Sequence, residues 1–160
     1  VAMQNSEPKK VISQVNNIAT LRSRKGMFAT AVFLLLDTKD KKMMVCNAGH
    51  HSMLIRREEG EILEKGRAGG IPLGIAENVV YEEEEIQLYS GDVVFLFSDG
   101  VIEPVNDQSE QFGMDRLRSM INESCGTPEE ILKKIDNAIQ TFTGDAPQFD
   151  DMTFLVFRVL

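Results

Sequence analysis

Two short segments carry side chains whose types could do chemistry together. Ser98-Asp99-Gly100 closes the apolar run Val93-Val-Phe-Leu-Phe97, and Asp150-Asp151-Met152-Thr153 stands immediately before another, Phe154-Leu-Val-Phe157. An aspartate leaving a buried strand holds its carboxylate on a rigid element at the sheet rim, and Gly100 permits a sharp departure and close approach of other backbone. Read alone, Asp99-Gly100 is also one of the commonest turn dipeptides. Adjacent carboxylates at 150 and 151 repel each other unless a cation is near or both face water. Hard divalent cations such as Mg²⁺ or Mn²⁺ prefer this oxygen chemistry; a solvated acidic loop is the plainer reading of the pair alone. If the two strands lie side by side, both carboxylates could line one rim cleft.

The elements that must position these groups are legible from patterning. Ser6-Glu7-Pro8 has the form of a helix start, and Val11, Ile12, Val15, Ile18 and Ala19 then share one face at helical spacing. Phe28–Leu36 reads as a strand buried on both faces. Asp37–Lys42 is its charged turn and Met43–Ala48 the returning strand, so the pair forms a hairpin. Met53–Arg56 and Glu61–Glu64 flank Gly60 as a second, smaller hairpin. Gly66–Gly74 is a glycine-rich loop. Val79–Leu88 is a strand whose run Glu82–Glu85 suits a solvated, charged edge. Gly91-Asp92 turns into Val93–Phe97. Helices come next at Met114–Glu123 and Pro128–Phe142, the second capped by Thr127 with Glu129 and Glu130 in its first turn. After a loop through Pro147, Met152–Leu160 is a last strand. Hairpin connections imply a mostly antiparallel α+β fold in a single domain, residues 1–160.

The net charge of −8 argues against a nucleic-acid surface, which needs a basic stripe, and favours divalent cations over polyanions. Cys46 and Cys125 are the only cysteines; they form no disulfide framework and fit a reducing cytoplasm. Cys46, in an apolar run, reads as a small core residue. The longest apolar stretch, Met27–Leu36, falls far short of the ~20 residues that span a bilayer, and no signal peptide is visible.

Met27-Phe28-Ala-Thr30, Asn47-Ala-Gly-His50, Gly70-Ile-Pro-Leu-Gly74, Gly91-Asp92, Ser98-Asp-Gly-Val101, Glu103, Asn106, Phe112-Gly113 and Asp150-Asp-Met-Thr153 occur in one order. That series resembles the protein phosphatase 2C-like superfamily, in its bacterial branch typified by stage II sporulation protein E and environmental sigma-factor regulators. The resemblance implies a four-layer αββα sandwich and two Mn²⁺ or Mg²⁺ ions bridged by a water, which the metals acidify for in-line attack on phosphorus. It assigns Asp99 and Asp150 as metal ligands and catalytic residues, with Asp151 beside them orienting Asp150 or a metal-bound water. The implied substrate is phosphoserine or phosphothreonine on a regulatory protein such as an anti-sigma-factor antagonist. His50 and His51, adjacent on a strand, point to opposite faces and do not chelate one ion; a structural, hydrogen-bonding role is favoured for His50. Asn47 and Gly49 shape its turn, and Gly70–Gly74 is read as a structural loop near the cleft.

One departure bears on activity. The family's earlier Gly-Asp and Gly-His-Gly segment, whose aspartate bridges both metals, is absent from these residues, and the chain opens on Val1 rather than methionine. The expectation is a chain equivalent to the C-terminal portion of the catalytic domain, with N-terminal strands missing. Such a chain would bind metal weakly or bind one ion, and would cover its exposed edges and apolar faces by repacking or by self-association. A catalytically weak regulatory or interaction module is the competing reading.

Overall fold

Helix α1 (Pro8–Arg22) begins with proline in its first turn, where the missing N–H forfeits no helical hydrogen bond. The computed structural model describes residues 7–22, 24, 26–67, 69–124, 126–146 and 150–160; Ser6 as helix cap, Cys125 and the Pro147 loop lie outside them. Val11 and Ile12 are buried, and Val15 and Ala19 pack with Ile12 around Cys46, Ala48, Leu73 and Tyr81. Ile18, expected on this face, is instead 43% exposed. The buried polar residue beside that face is Asn16, which donates from Nδ2 to the Ala76 carbonyl at 2.8 Å and accepts the Gly74 N–H at 3.0 Å.

The chain divides into two compact units, residues 1–52 with 65–88 and residues 53–64 with 89–160. In the first, β1 (Ala31–Asp37) and β2 (Lys42–Ala48) form the expected hairpin, paired from Ala31 opposite Ala48 to Asp37 opposite Lys42. Strand β5 (Glu83–Gln87) adds to the other side of β2, giving the antiparallel order β1-β2-β5. The expectation that Phe28–Leu36 is buried on both faces is corrected: Phe28, Leu35 and Leu36 are 65%, 40% and 41% exposed. β1 is an edge strand with one neighbour, and the cluster with α1 takes in Ala31 and Phe33 but not Leu35. β2 is the buried strand here, and burial pushes the Cys46 thiol pKa up to about 11.

The acidic run is an edge strand, as its charges suggest, but it is ion-paired as well as solvated. Glu83, Glu84 and Glu85 meet Lys9, Lys65 and Lys42 at 3.1, 3.1 and 2.9 Å. Asn47 organises the turn after β2: its Nδ2 donates to the His50 and Gly66 carbonyls and its Oδ1 accepts the His50 N–H at 2.8 Å. Gly49 (φ +73°) lies where a Cβ would be 2.5 Å from Pro72. His50 Nδ1 lies 3.0 Å from Thr30 Oγ1, a hydrogen-bonding role of the kind expected.

The second unit carries the antiparallel sheet β4-β3-β6-β7, where β3 is Met53–Arg56, β4 Ile62–Lys65, β6 Val93–Phe97 and β7 Phe154–Arg158. Helices α2 (Gly113–Asn122) and α3 (Pro128–Thr143) bury Leu117, Ile121, Ile131, Ile135 and Ile139 against Leu54, Val93, Phe95 and Phe97. That apolar stripe recurs every third or fourth residue, the period that sets one helix face on a sheet. The α3 start is a complete capping box: Thr127 and Glu130 satisfy each other's backbone N–H groups. No helix among the described residues is long and apolar enough to cross a membrane.

Candidate active site

β6 is central in its sheet and buried at Val93, Val94, Phe95 and Phe97. It pairs antiparallel with β7 from Val93 opposite Arg158 to Phe97 opposite Phe154. One strand therefore ends where the other begins. Ser98 continues extended, and the chain then closes into a single 3-10 turn, Asp99–Val101. Val101 is fully buried in the core beneath and anchors that turn, while Asp99 is exposed at the rim. The sharp departure expected at Gly100 is this turn.

The Asp150–Thr153 segment is tied to the same rim. Ser98 N–H donates to the Thr153 carbonyl at 3.0 Å, Ser98 Oγ lies 3.1 Å from the Asp151 carbonyl, and Thr153 N–H donates to Ser98 Oγ at 2.9 Å. Gly100 packs so close that a Cβ there would stand 2.4 Å from the Asp151 carbonyl oxygen. Asp150 and Asp151 are exposed, and Asp150 Oδ1 accepts the Asp151 N–H at 2.8 Å. The two acidic segments thus lie side by side at one sheet end. Beside them opens a cleft of about 570 Å³ whose wall includes Gly100, Glu103, Ile139, Thr143, Asp150 and Met152.

The donor chemistry of this rim fits a hard divalent cation in kind, since its acidic side chains offer carboxylate oxygens. It falls short in number, because no three His, Cys, Asp or Glu residues gather into a cation cage among the described residues. An octahedral ion asks for about six oxygens, several of which can be waters.

Two polar features escaped sequence reasoning. Asp92 is buried and accepts both the Arg57 guanidinium and the Tyr89 N–H, with Arg57 also stacked over the Tyr89 ring. Gly91-Asp92 read as a turn, and nothing local indicates a partner 35 residues away, just past the strand that pairs with β6. Asn106, part of the ordered motif series, folds its own loop by accepting the Gln108 and Glu110 N–H groups.

The profile of the stage II sporulation protein E (SpoIIE) family matches residues 1–160, the whole chain. The chain belongs to the SpoIIE family. It is 29% identical over 159 residues to protein IcfG of Synechocystis sp. (strain ATCC 27184 / PCC 6803 / Kazusa), covering 94% of this chain and 25% of that protein. It is 26% identical over 154 residues to the phosphoserine phosphatase RsbU of Bacillus subtilis (strain 168), covering 94% of this chain and 45% of RsbU. The chain thus spans less than half the length of either relative. The solved SiaA-PP2C domain of Pseudomonas aeruginosa superposes with a TM-score of 0.82 at 20% identity, over 98% of this chain and 63% of that one. The fold is that of PP2C-like phosphatase domains, mixed helices and antiparallel sheets, as the motif series implied.

Proposed function

We propose that this SpoIIE-family chain takes part in metal-dependent hydrolysis of phosphoserine or phosphothreonine on a regulatory protein, such as an anti-sigma-factor antagonist, in a reducing cytoplasm. The observation that carries the reading is the juxtaposition of Asp99 with Asp150 and Asp151 on one rigid rim beside an open cleft. Asp99 and Asp150 would hold Mn²⁺ or Mg²⁺ together with further oxygen donors, and Asp151 would orient its neighbour through its backbone N–H. The chemistry a divalent cation supplies in such a place is neutralisation of phosphoryl charge and acidification of water. The protein's own share is positional. The 3-10 turn fixes the Asp99 backbone, Val101 anchors that turn in the core, and the cleft receives the peptide that carries the phosphate. Residues 1–160 are read as one phosphatase-like domain.

The test is phosphate release from a phosphoserine peptide with and without Mn²⁺. Activity should depend on the cation and be abolished by Asp99→Asn with the fold retained. A well-folded full-length version that releases no phosphate in Mn²⁺ would sink the enzyme reading.

A second reading, a catalytically weak regulatory or interaction module, is favoured by the lack of a three-ligand cluster among the described residues. Calorimetric titration separates the two: uptake of two Mn²⁺ ions at useful affinity excludes the module.

A further inference from the structure

Ser98 sits where a regular antiparallel ladder would have continued for one more pair. Beyond Phe97 and Phe154, the next opposed residues are Ser98 and Thr153. A hydrogen-bonded pair in such a ladder exchanges two bonds, each N–H to the other carbonyl. Only one is made in the usual way, from Ser98 N–H to the Thr153 carbonyl. The Ser98 carbonyl instead accepts the Val101 N–H at 3.0 Å, because the chain has already turned to present Asp99. The Thr153 N–H turns to Ser98 Oγ, at 2.9 Å. A hydroxyl that accepts still has its own proton to give, and here it points to the Asp151 carbonyl at 3.1 Å.

We infer that the Ser98 hydroxyl is a positioning group. It replaces the ladder bond that the Asp99 turn withdraws, and so holds the Asp150–Asp151 segment in register with Asp99. Three successive residues then have distinct tasks: Ser98 clasps the opposite segment, Asp99 faces outward, and Gly100 leaves room for the Asp151 carbonyl. The inference rests on the proposed metal site, since register between these carboxylates matters only if both serve one centre. The clasp is partly open to solvent, where water can satisfy the Thr153 N–H and Asp151 carbonyl if the hydroxyl is lost. Removing it therefore moves position more than stability.

The experiment compares wild type with Ser98→Ala, Ser98→Thr and Ser98→Val, the last two alike in shape and differing in the hydroxyl. Ser98 is extended (φ −85°, ψ 167°), a conformation that β-branched side chains accept. Mn²⁺ affinity is read by electron paramagnetic resonance titration, Thr153 amide exchange by NMR, and folding by thermal melts. Ser98→Ala and Ser98→Val are expected to weaken Mn²⁺ binding about tenfold, the scale on which outer partners of metal ligands act, and to speed Thr153 exchange. Ser98→Thr should stay within about twofold of wild type, with all melting temperatures close together. Unchanged Mn²⁺ affinity in Ser98→Ala, or equal losses in the threonine and valine variants, overturns the clasp while leaving the metal site standing. No Mn²⁺ uptake by wild type overturns the metal site itself and the inference with it.

Discussion

Phe97 stands opposite Phe154 in the last pair that β6 and β7 share, with ring centroids 6.4 Å apart. The residues after Phe97 and those before Phe154 must therefore leave the sheet at the same end. Asp99 and Asp150 reach one rim for this reason, although both helices of their unit lie between them in the chain.

Gly100 is the point of closest approach at that rim. A methyl group there meets the Asp151 carbonyl oxygen at 2.4 Å, and backbone on both sides cannot swing aside as a side chain would. Gly100→Ala is expected to cost about 1–3 kcal/mol by overpacking and to lower the melting temperature by at least about 2–4 °C. Mn²⁺ binding should fall with it. A variant as stable as wild type in a thermal melt would contradict the contact.

Asp92 is a buried carboxylate of the second unit, shared between Arg57 and the Tyr89 N–H. Its removal takes away a carboxylate that accepts a charged hydrogen bond from a guanidinium only 13% exposed. Asp92→Ala should destabilise by about 3 kcal/mol or slightly more in a denaturant titration. By contrast, Lys133 and Glu129 pair on the open face of α3, 72% and 78% exposed, and Glu129→Ala should cost well under ~1 kcal/mol.

Hydrogen bonds from Thr127, first from its backbone and then from its side chain, hold the Glu130 carboxyl below its ordinary pKa. A depressed folded-state value means stability that is present above the unfolded pKa and lost as pH falls through the folded one. Glu130→Gln, which keeps hydrogen-bonding capacity without charge, should melt below wild type near neutral pH, and the gap should close in acid. A gap constant with pH would contradict the assignment. Thr127→Ala should cost about 1 kcal/mol.

Cys46 is fully buried in β2 with its thiol pKa pushed up to about 11 by burial. A thiol that is both inaccessible and protonated is a poor nucleophile. Iodoacetamide at mildly alkaline pH should leave the Cys46 peptide unlabelled in the native protein and label it after denaturation, as read by mass spectrometry.

Much of the architecture was legible in local pattern because it depends on local physics. Period-3.6 apolar spacing marked α1, α2 and α3; Thr127 marked a cap; and Asp37–Lys42 marked a hairpin turn. Burial was less legible. Phe28–Leu36 has the composition of a doubly covered strand, yet β1 lies at a sheet edge, and edge position depends on strand order rather than strand composition. Ile18 and Asn16 show the same limit on a helix, where the partners of Asn16, Ala76 and Gly74, come from a distant loop.

The sequence by itself determined which chemistry was available: carboxylates placed at the ends of two apolar strands, and a motif order that marked the family. Whether those carboxylates could act together depended on β6 and β7 being antiparallel neighbours in register, a long-range pairing that no local pattern encodes. The tertiary structure alone also decided that the Ser98 carbonyl is spent on the turn at Asp99, leaving its hydroxyl to tie down the opposite strand. A hydrogen-bonding group has only as many partners as the fold brings within reach, and the Ser98 hydroxyl meets the Thr153 N–H from 55 residues away in the chain.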